Sequence, residues 1–394
     1  MTQPGSRDSG NAVEEKLPRR DFVILPLLSL LTIATCLAAA EMTSRHFFAA
    51  DVQDTCQIDG AAIDAGHIPN CTTRLKAAEG PWVTNQYNDC GYRTKESCGP
   101  KPIGSERIAL IGSSESEGLY VAYDETFATR TAGALTRILG RPVEVQNLAR
   151  TPCSLICVSH QVDEALALKP DLLLLAIDPY DVEYLDPAQM SNRYSPSIPR
   201  EGPPASSGNS NPLARISLLA KNSSSMVAGE HFLFQNASTY ARIYLHYGDH
   251  ADYLRTGFSP AWDRRFDALE VLLAEMARKA DTAKVPFVLI EIPSVAQASL
   301  SAEKTLPAGV DPYGFNERLK QIASRRGIEF IDGLEALKGG PEVNKLFYVT
   351  DGHINAEGHA LIARALVEQL TKGEGGGLLG RNEAYRETAS EQIR

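Results

Sequence analysis

The sequence predicts an α/β fold in which five parallel strands form a doubly wound sheet with helices on both faces. From Arg107 onward, apolar runs of strand length alternate with helical stretches, which is the pattern of successive βαβ units. The run LLLLAI at 172–177 is apolar on both faces, as expected of a central parallel strand. The sequence adds an N-terminal transmembrane helix and an inserted cap segment to this sheet.

The N-terminus carries an apolar segment that is long enough to cross a membrane. Residues 1–21 are predicted to form a disordered cytoplasmic tail, and residues 22–40 then provide 19 uncharged residues, about the thickness of a hydrocarbon core as a helix. Arg19 and Arg20 favour a cytoplasmic N-terminus and an extracytoplasmic remainder, periplasmic if the source is bacterial. A cleaved signal peptide is the main alternative. A lipidated Cys36 and a twin-arginine signal are further ones.

Cysteine usage supports export. Cys36 lies in the apolar segment, and six cysteines follow it, an even number that suggests disulfides in an exported chain. Local pairing is the simplest of the fifteen connectivities, and it predicts the pairs Cys56–Cys71, Cys90–Cys98 and Cys153–Cys157. A zinc site is disfavoured, because the spacings are not Cys-x-x-Cys and no histidine clusters with the cysteines.

Composition divides the rest of the chain into four parts. Residues 41–105 are rich in Cys, Gly and Pro and are expected to form an extracytoplasmic lead-in, and residues 106–371 hold the α/β domain. Pro, Ser, Asn and Gly clusters interrupt this domain at 184–261. A loop this long is uncommon, so we expect an insertion that caps the ligand-binding edge, with the aromatic patch 232–253 as a satellite core. Residues 372–394, with the run GEGGG, are predicted to be disordered.

The individual elements follow from hydrophobic periodicity. The predicted strands are RIALI (107–111), VEVQN (143–147), LLLLAI (172–177), FVLIEI (287–292) and IEFI (328–331). The predicted helices run from Glu125 to Leu139, from Trp262 to about Lys284, from Phe315 to Arg326 and from Ala356 to Leu370. In such a sheet, functional groups gather at the carboxyl ends of the strands.

Two of these strand ends carry the residues of serine chemistry. Ester cleavage needs a serine, a base within hydrogen-bond reach and a group that orients the base. Ser114 lies in GSSESEG after the first strand, where its hydroxyl can be exposed and its N–H can face an oxyanion. His353 precedes the last helix, and Asp351 is close enough to orient its imidazole. We therefore predict Ser114 as the nucleophile, His353 as the base and Asp351 as the orienting group.

Each candidate also has a structural interpretation. Ser114 alone would suit a helix cap, and His353 alone would suit a structural role, but the two blocks together favour catalysis. Asp178 and Asp181 are better explained as a turn and a helix cap than as an acid–base pair. His359, within the last helix, is expected to be structural.

The two blocks resemble those of the SGNH (GDSL-type) hydrolases and acyltransferases. GSSESEG is similar to the first block of the family, GDSxTxG, with Ser114 at the nucleophile position and Gly118 closing the block. DGHINAEGHALIA, from Asp351, is similar to the closing Asp–His block. The resemblance covers residues 88–371, the insertion loosely, and implies a flavodoxin-like SGNH hydrolase fold that works without a cofactor.

The resemblance also implies where the oxyanion is bound, and there the sequence departs from the family. The glycine of the second block falls near Ala149 or Pro152, and proline has no N–H to donate. The asparagine of the third block falls at Tyr180, whose hydroxyl is a different donor. The remaining candidate donors are the N–H groups of Ser114 and Ala149, with Asn147 as an addition.

The sequence thus predicts a membrane-anchored, extracytoplasmic serine O-acyl esterase or acyltransferase. The family and the export signal imply an acylated, in particular acetylated, carbohydrate or another small ester as substrate. The alternative is a catalytically degenerate SGNH-like module that binds glycan or scaffolds surface-polymer assembly, which the altered oxyanion blocks favour. A net charge of −10, with no basic run beyond LPRR, argues against a nucleic-acid partner.

Overall fold

A computed structural model describes residues 20–58, 66–192 and 223–372 of the 394-residue chain. The two predicted tails lie almost entirely outside these residues. Residues 193–222 of the predicted insertion at 184–261 also lie outside them.

The predicted five-stranded parallel sheet is present. The lead-in first supplies two antiparallel pairs, β1 (Gln57–Ile58) with β2 (Gly66–His67) and β3 (Thr72–Leu75) with β4 (Val83–Gln86). The strands of the central sheet are β5 (Glu106–Ile111), β6 (Val143–Asn147), β7 (Leu172–Ile177), β8 (Phe287–Glu291) and β9 (Glu329–Ile331). Their order is β6–β5–β7–β8–β9, and every neighbouring pair is parallel. This is the doubly wound, flavodoxin-like order.

Helices surround the sheet. They are α1 (Asp21–Phe48), α2 (Ser114–Glu117), α3 (Phe127–Leu139), α4 (Leu155–Ala167), α5 (Pro179–Glu183), α6 (Ser224–Phe234), α7 (Ala237–Tyr244), α8 (Pro260–Ala283), α9 (Val295–Ser301), α10 (Gly314–Arg325), α11 (Gly333–Leu337) and α12 (Ala356–Thr371). Single 3-10 turns occupy Tyr123–Glu125, Pro187–Asn192, Gly248–Leu254 and Val343–Lys345. The four predicted helices correspond to α3, α8, α10 and α12.

Helix α4 was not predicted, and helix α3 begins later than predicted. Seven of the 13 residues of α4 are buried, whereas Asp163 and Glu164 are exposed, so the helix is amphipathic and was overlooked in the sequence. Helix α3 begins at Phe127 because the Thr126 side chain accepts a hydrogen bond from the Thr129 N–H, and Glu125 belongs to the preceding 3-10 turn.

The sheet buries one core on each face. On β7, Leu173, Leu175 and Ile177 pack with α4 and α8, whereas Leu172 and Leu174 pack with α3 and α12. The alternation explains why this strand is apolar throughout its length, because both of its faces are covered. The layers hold the carboxyl ends of the strands at one edge of the domain.

Helix α1 is long and apolar enough to cross a membrane. It has 28 residues, its most apolar window has a mean hydropathy of 2.4, and none of its residues is buried. A membrane anchor and a signal sequence both fit this helix. Near its end, the Glu41 carboxylate accepts hydrogen bonds from the Ser223 hydroxyl and the Ser225 N–H, where α6 begins.

The described part of the insertion lies over the carboxyl ends of β7 and β8. The Tyr253 hydroxyl is 2.6 Å from the hydroxyl of Ser294, which follows β8. Tyr244 and Tyr253 are buried and belong to the same core as Trp262 of α8. The expectation of a separate satellite core is therefore wrong for these residues, because the cap packs directly onto the main core.

The three predicted disulfides are present, two in the lead-in and one in the α/β domain. Disulfides join Cys56 to Cys71, Cys90 to Cys98 and Cys153 to Cys157. Cys36 of α1 is a free, exposed cysteine.

Candidate active site

Ser114 is the first residue of α2, in the turn that follows β5. Gly112 makes this turn possible: its φ is +155°, and a Cβ there would lie 2.1 Å from the Ser116 Oγ. Gln161 of α4 holds the turn, because its Oε1 accepts from the Gly112 N–H at 3.1 Å and its Nε2 donates to the Gly112 carbonyl at 3.3 Å. Sequence reasoning missed Gln161, which lies in the helix that was not predicted.

The structure brings Ser114, His353 and Asp351 together. The Ser114 Oγ is 2.8 Å from the His353 Nε2, and the His353 Nδ1 is 2.5 Å from the Asp351 Oδ1. With its Nδ1 proton donated to Asp351, the neutral imidazole presents an acceptor at Nε2 to the serine. The His353 side chain is 24% exposed and that of Asp351 is 23% exposed, so solvent reaches the pair.

The loop that carries His353 is held by its own backbone. Residues 347 and 354 pair as an antiparallel bridge, and the Tyr348 N–H donates to the His353 carbonyl at 2.9 Å. The Gly352 N–H donates to the Tyr348 carbonyl at 2.6 Å. The Tyr120 ring meets the His353 ring edge to face, with centroids 5.4 Å apart. These contacts fix the direction of the imidazole.

Two buried carboxyl groups, Glu115 and Asp178, influence His353, and Asp181 lies beside them. Burial raises the pKa of Glu115 to about 8 and that of Asp178 to about 6, in each case against the opposing effect of His353. Burial, and then the charge of Asp178, raises the pKa of Asp181 well above its usual value. For His353, burial lowers the pKa, but Glu115 and then Asp351 outweigh it and raise the pKa to about 10.

Asp178 and Asp181 form a capping box at the start of α5. The Asp178 Oδ1 accepts from the Asp181 N–H at 2.8 Å, and the Asp181 Oδ2 accepts from the Asp178 N–H at 3.1 Å. This arrangement agrees with the helix-cap interpretation. Glu115 instead links α2 to the loop that carries His353, because its Oε2 accepts from the Ile354 N–H at 3.3 Å. Sequence reasoning missed Glu115, since neither motif reveals that it is buried.

The candidate oxyanion donors are occupied by protein groups. The Ala149 N–H donates to the Asn147 Oδ1 at 3.1 Å, and the Asn147 Nδ2 donates to the Ser116 carbonyl at 2.9 Å. Tyr180 packs against the main core, and its hydroxyl interacts with Tyr244 of the cap. Among the described residues, no hydrogen bond joins these three groups to Ser114. The Ser114 N–H, the first of α2, has no carbonyl of its own helix to bind.

His359 lies in α12 behind the site, as predicted. It is buried, its Nδ1 accepts from the Phe127 N–H at 3.0 Å, and its ring stacks on the Phe127 ring. Burial, and then the positive charges of Arg93 and Arg130, lowers the pKa of His359 to about 3. The residue therefore joins α12 to α3 as a neutral imidazole.

A large cavity lies elsewhere in the domain. Its volume is about 1020 Å³, and it lies at the amino edge of the sheet between Lys101, Asp171 and Val285. Lys101 and Asp171 form an ion pair at 2.5 Å. Because no serine, cysteine thiol or histidine lines this cavity, the triad is the better candidate for the reacting site.

Comparisons with known proteins bear on the fold alone. No protein-family model matches the chain, and no curated protein sequence matches it. Among solved structures, a lipase from a goat rumen metagenome aligns with 70% of this chain and 99% of its own, at 14% identity and a TM-score of 0.38. A lipase/acylhydrolase from Enterococcus faecalis aligns with 67% and 95%, at 12% identity and a TM-score of 0.36. A member of the G-D-S-L lipolytic family from Veillonella parvula DSM 2008 aligns with 68% and 100%, at 14% identity and a TM-score of 0.35.

These similarities are too low to carry an argument about activity or substrate. What the chain itself shows is a parallel sheet in the doubly wound order, with a serine, a histidine and an aspartate in sequential hydrogen-bond contact. This is the fold that the resemblance to the SGNH hydrolases implied.

Proposed function

We propose that the protein is a serine O-acyl esterase or acyltransferase of the SGNH type, in which Ser114 is the nucleophile, His353 the base and Asp351 the orienting group. One observation carries the proposal: the Ser114 hydroxyl lies 2.8 Å from one nitrogen of an imidazole whose other nitrogen faces a carboxylate. Geometry of this kind defines a catalytic triad more reliably than sequence position does.

The reaction would proceed in two halves. The Ser114 Oγ attacks the acyl carbonyl while its proton passes to the His353 Nε2, and the carbonyl oxygen becomes an oxyanion. The oxyanion then re-forms the carbonyl, the ester C–O bond breaks, and the departing alkoxide takes the proton from His353. In the second half, a water or an acceptor hydroxyl gives its proton to His353 and attacks the acyl-serine. The bond between the acyl carbon and the Ser114 Oγ then breaks, and the Ser114 Oγ takes the proton back from His353.

The oxyanion would be bound first by the Ser114 N–H. The Ala149 N–H would contribute only if its bond to the Asn147 Oδ1 opened, and the Asn147 Nδ2 only if its bond to the Ser116 carbonyl opened. A missing oxyanion donor typically costs about 10²–10³ in rate. We therefore expect a low turnover number on unactivated esters.

The substrate class follows from location and family resemblance. The apolar helix α1 and the disulfides support an extracytoplasmic domain that is anchored in the membrane with a cytoplasmic N-terminus. For an exported enzyme of this type, we propose an acylated carbohydrate, in particular an acetylated one, or another small ester.

The second candidate function is a non-catalytic module of the same fold that binds glycan or scaffolds the assembly of a surface polymer. Two hydrogen bonds favour it, from the Ala149 N–H to the Asn147 Oδ1 and from the Asn147 Nδ2 to the Ser116 carbonyl, because they occupy both donors that an active site would need. The triad geometry has no explanation under this alternative.

An active-site label separates the two candidates. The full chain in detergent is treated with an activated phosphonate and digested, and the adduct is located by mass spectrometry. We expect one adduct on Ser114, its loss in Ser114→Ala and its retention in Ser116→Ala, a serine of the same turn. A folded protein with no adduct would leave only the binding module. Acyl release from a panel of acetylated sugars, with Ser114→Ala as control, then tests the substrate class.

A further inference from the structure

Four polar side chains meet in the interior behind the nucleophile turn. Asp54, His67 and Tyr87 come from the lead-in, and Glu117 comes from α2. The side chains of Asp54, His67 and Glu117 are 9%, 3% and 0% exposed, and Tyr87 is buried. None of them contacts the triad, and the proposed reaction does not use them.

The spacing within this cluster is that of ligands around one ion. The His67 Nε2 is 3.4 Å from the Asp54 Oδ2 and 3.4 Å from the Glu117 Oε1. Both distances exceed the roughly 2.7–2.9 Å of a charge-assisted hydrogen bond. Ligand atoms that surround a zinc ion tetrahedrally at about 2.0–2.2 Å are separated by about 3.3–3.5 Å. The two equal distances therefore fit a shared centre better than a hydrogen bond.

The hydrogen bonds of the cluster leave one carboxylate oxygen without a partner. The Tyr87 hydroxyl lies 2.7 Å from the Asp54 Oδ2 and 2.9 Å from the Glu117 Oε1, but its single proton can serve only one of them at a time. The Glu117 Oε2 is buried and has no hydrogen-bond partner among the described residues. The buried Arg93 guanidinium, whose charge acts on both Glu117 and Asp54, supplies one positive charge. A second carboxylate removed from water can be compensated by a further cation.

We propose that Asp54, His67 and Glu117 bind a divalent metal ion in a structural site, with the free Glu117 Oε2 able to make that carboxylate bidentate. An imidazole nitrogen with carboxylate oxygens at tetrahedral spacing suits zinc. Tyr87 then donates to a ligating oxygen from outside the coordination sphere, which is the usual way such ligands are oriented.

The ion would join the lead-in to the nucleophile turn. Glu117 is the last residue of the four-residue helix that Ser114 begins, whereas Asp54 and His67 flank Cys56 of the first disulfide. A metal here would fix α2 from behind. No sequence motif predicts the site, because its ligands come from three separate segments of the chain.

The test is the metal content of the full chain in detergent, purified without chelators after growth with added zinc. We expect inductively coupled plasma mass spectrometry to find about one zinc ion per chain. His67→Gln and Glu117→Gln should bind zinc at least about 10-fold more weakly. His246→Gln, a change at an exposed histidine outside the cluster, should retain it. Dipicolinate should lower the thermal midpoint of the wild type, and added zinc should restore it.

Three results would overturn the proposal. One is a folded wild-type chain that holds less than about one-tenth of an ion and whose thermal midpoint does not respond to zinc. The second is equal zinc content in the wild type and in His67→Gln. The third result applies if both ligand variants fail to fold, and it uses cobalt(II) in place of zinc in the wild type. A visible spectrum that lacks the bands of tetrahedral cobalt would then overturn the proposal. The cluster would then consist of ion pairs and hydrogen bonds without a metal ion. None of these readouts depends on the proposed esterase activity.

Discussion

The Glu79 carboxylate holds Thr350, the residue immediately before Asp351. It accepts a hydrogen bond from the Thr350 N–H at 2.7 Å and from the Thr350 hydroxyl at 2.9 Å. The same carboxylate is 2.5 Å from the Nδ1 of His231 in α6. Its side chain is 4% exposed. One buried residue of the lead-in thus positions the loop that carries the proposed base and connects it to the helix beside α1.

Changing Glu79 to Gln should lower kcat with little effect on KM. The amide keeps one acceptor but cannot serve both Thr350 donors equally, so Asp351 and His353 lose part of their alignment with Ser114. We expect kcat to fall about 10-fold, because small misplacements of catalytic groups carry costs of this order or larger. Initial rates on an activated ester would measure it. Glu342→Gln, at an exposed glutamate that pairs with Lys345, is the matched control, and an unchanged kcat in folded Glu79→Gln would remove Glu79 from the positioning role.

Asp351→Asn should reduce kcat by about 10⁴-fold. The asparagine amide can donate to the imidazole Nδ1 and so favours the tautomer whose Nε2 carries a proton, which cannot accept the proton of Ser114. The rate of phosphonate labelling should fall with kcat. Asp124→Asn, at an aspartate that pairs with Lys95 on the surface, should behave as the wild type. A loss of less than about 10-fold in Asp351→Asn would mean that another group orients His353.

The pH profile should reflect the carboxyl groups around His353. Because their charges raise the pKa of His353 above its ordinary value of about 6.5, kcat/KM should still be rising with pH at neutrality. Glu115→Gln removes the largest of the effects that favour imidazolium, so the rising limb should move to lower pH. The apparent pKa belongs to the His353–Glu115 pair, since the two groups titrate together. If the rising limb of kcat/KM lay at the same pH in the wild type and in Glu115→Gln, Glu115 would not interact with the base.

The sequence predicted the sheet well because the physical signal is local. A strand covered on both faces is apolar along its whole length, as LLLLAI is, and such runs are visible without knowledge of the fold. Ser114, His353 and Asp351 were identified from two short blocks, and their catalytic roles remain predictions. Helix α4 was overlooked although its buried face and its exposed Asp163 and Glu164 form an amphipathic pattern.

The missed features are contacts between residues that are far apart in the chain. Glu115 looks like an ordinary polar residue of a turn, and only the approach of the Ile354 N–H and the burial of the turn make it an influence on the base. The bond between Asn147 and Ala149 depends on the backbone path after β6, which no motif specifies. Glu79 and Thr350 are 271 residues apart, so their pairing follows from the packing of the lead-in on the domain.

His359 should make the fold sensitive to acid. Its pKa is about 6.5 in an unfolded chain and about 3 in the fold. Its contribution is therefore complete above pH 6.5 and is lost as the pH falls toward 3, because the unfolded chain gains a proton that the buried imidazole refuses. His359→Asn offers an amide oxygen to the Phe127 N–H without this titration. The wild type and the variant differ in their free energy of unfolding. This difference, wild type minus variant, should be about 2 kcal/mol smaller at pH 5 than at pH 7. Chemical denaturation at both pH values measures the difference, and a constant gap would mean that His359 takes up its proton without unfolding.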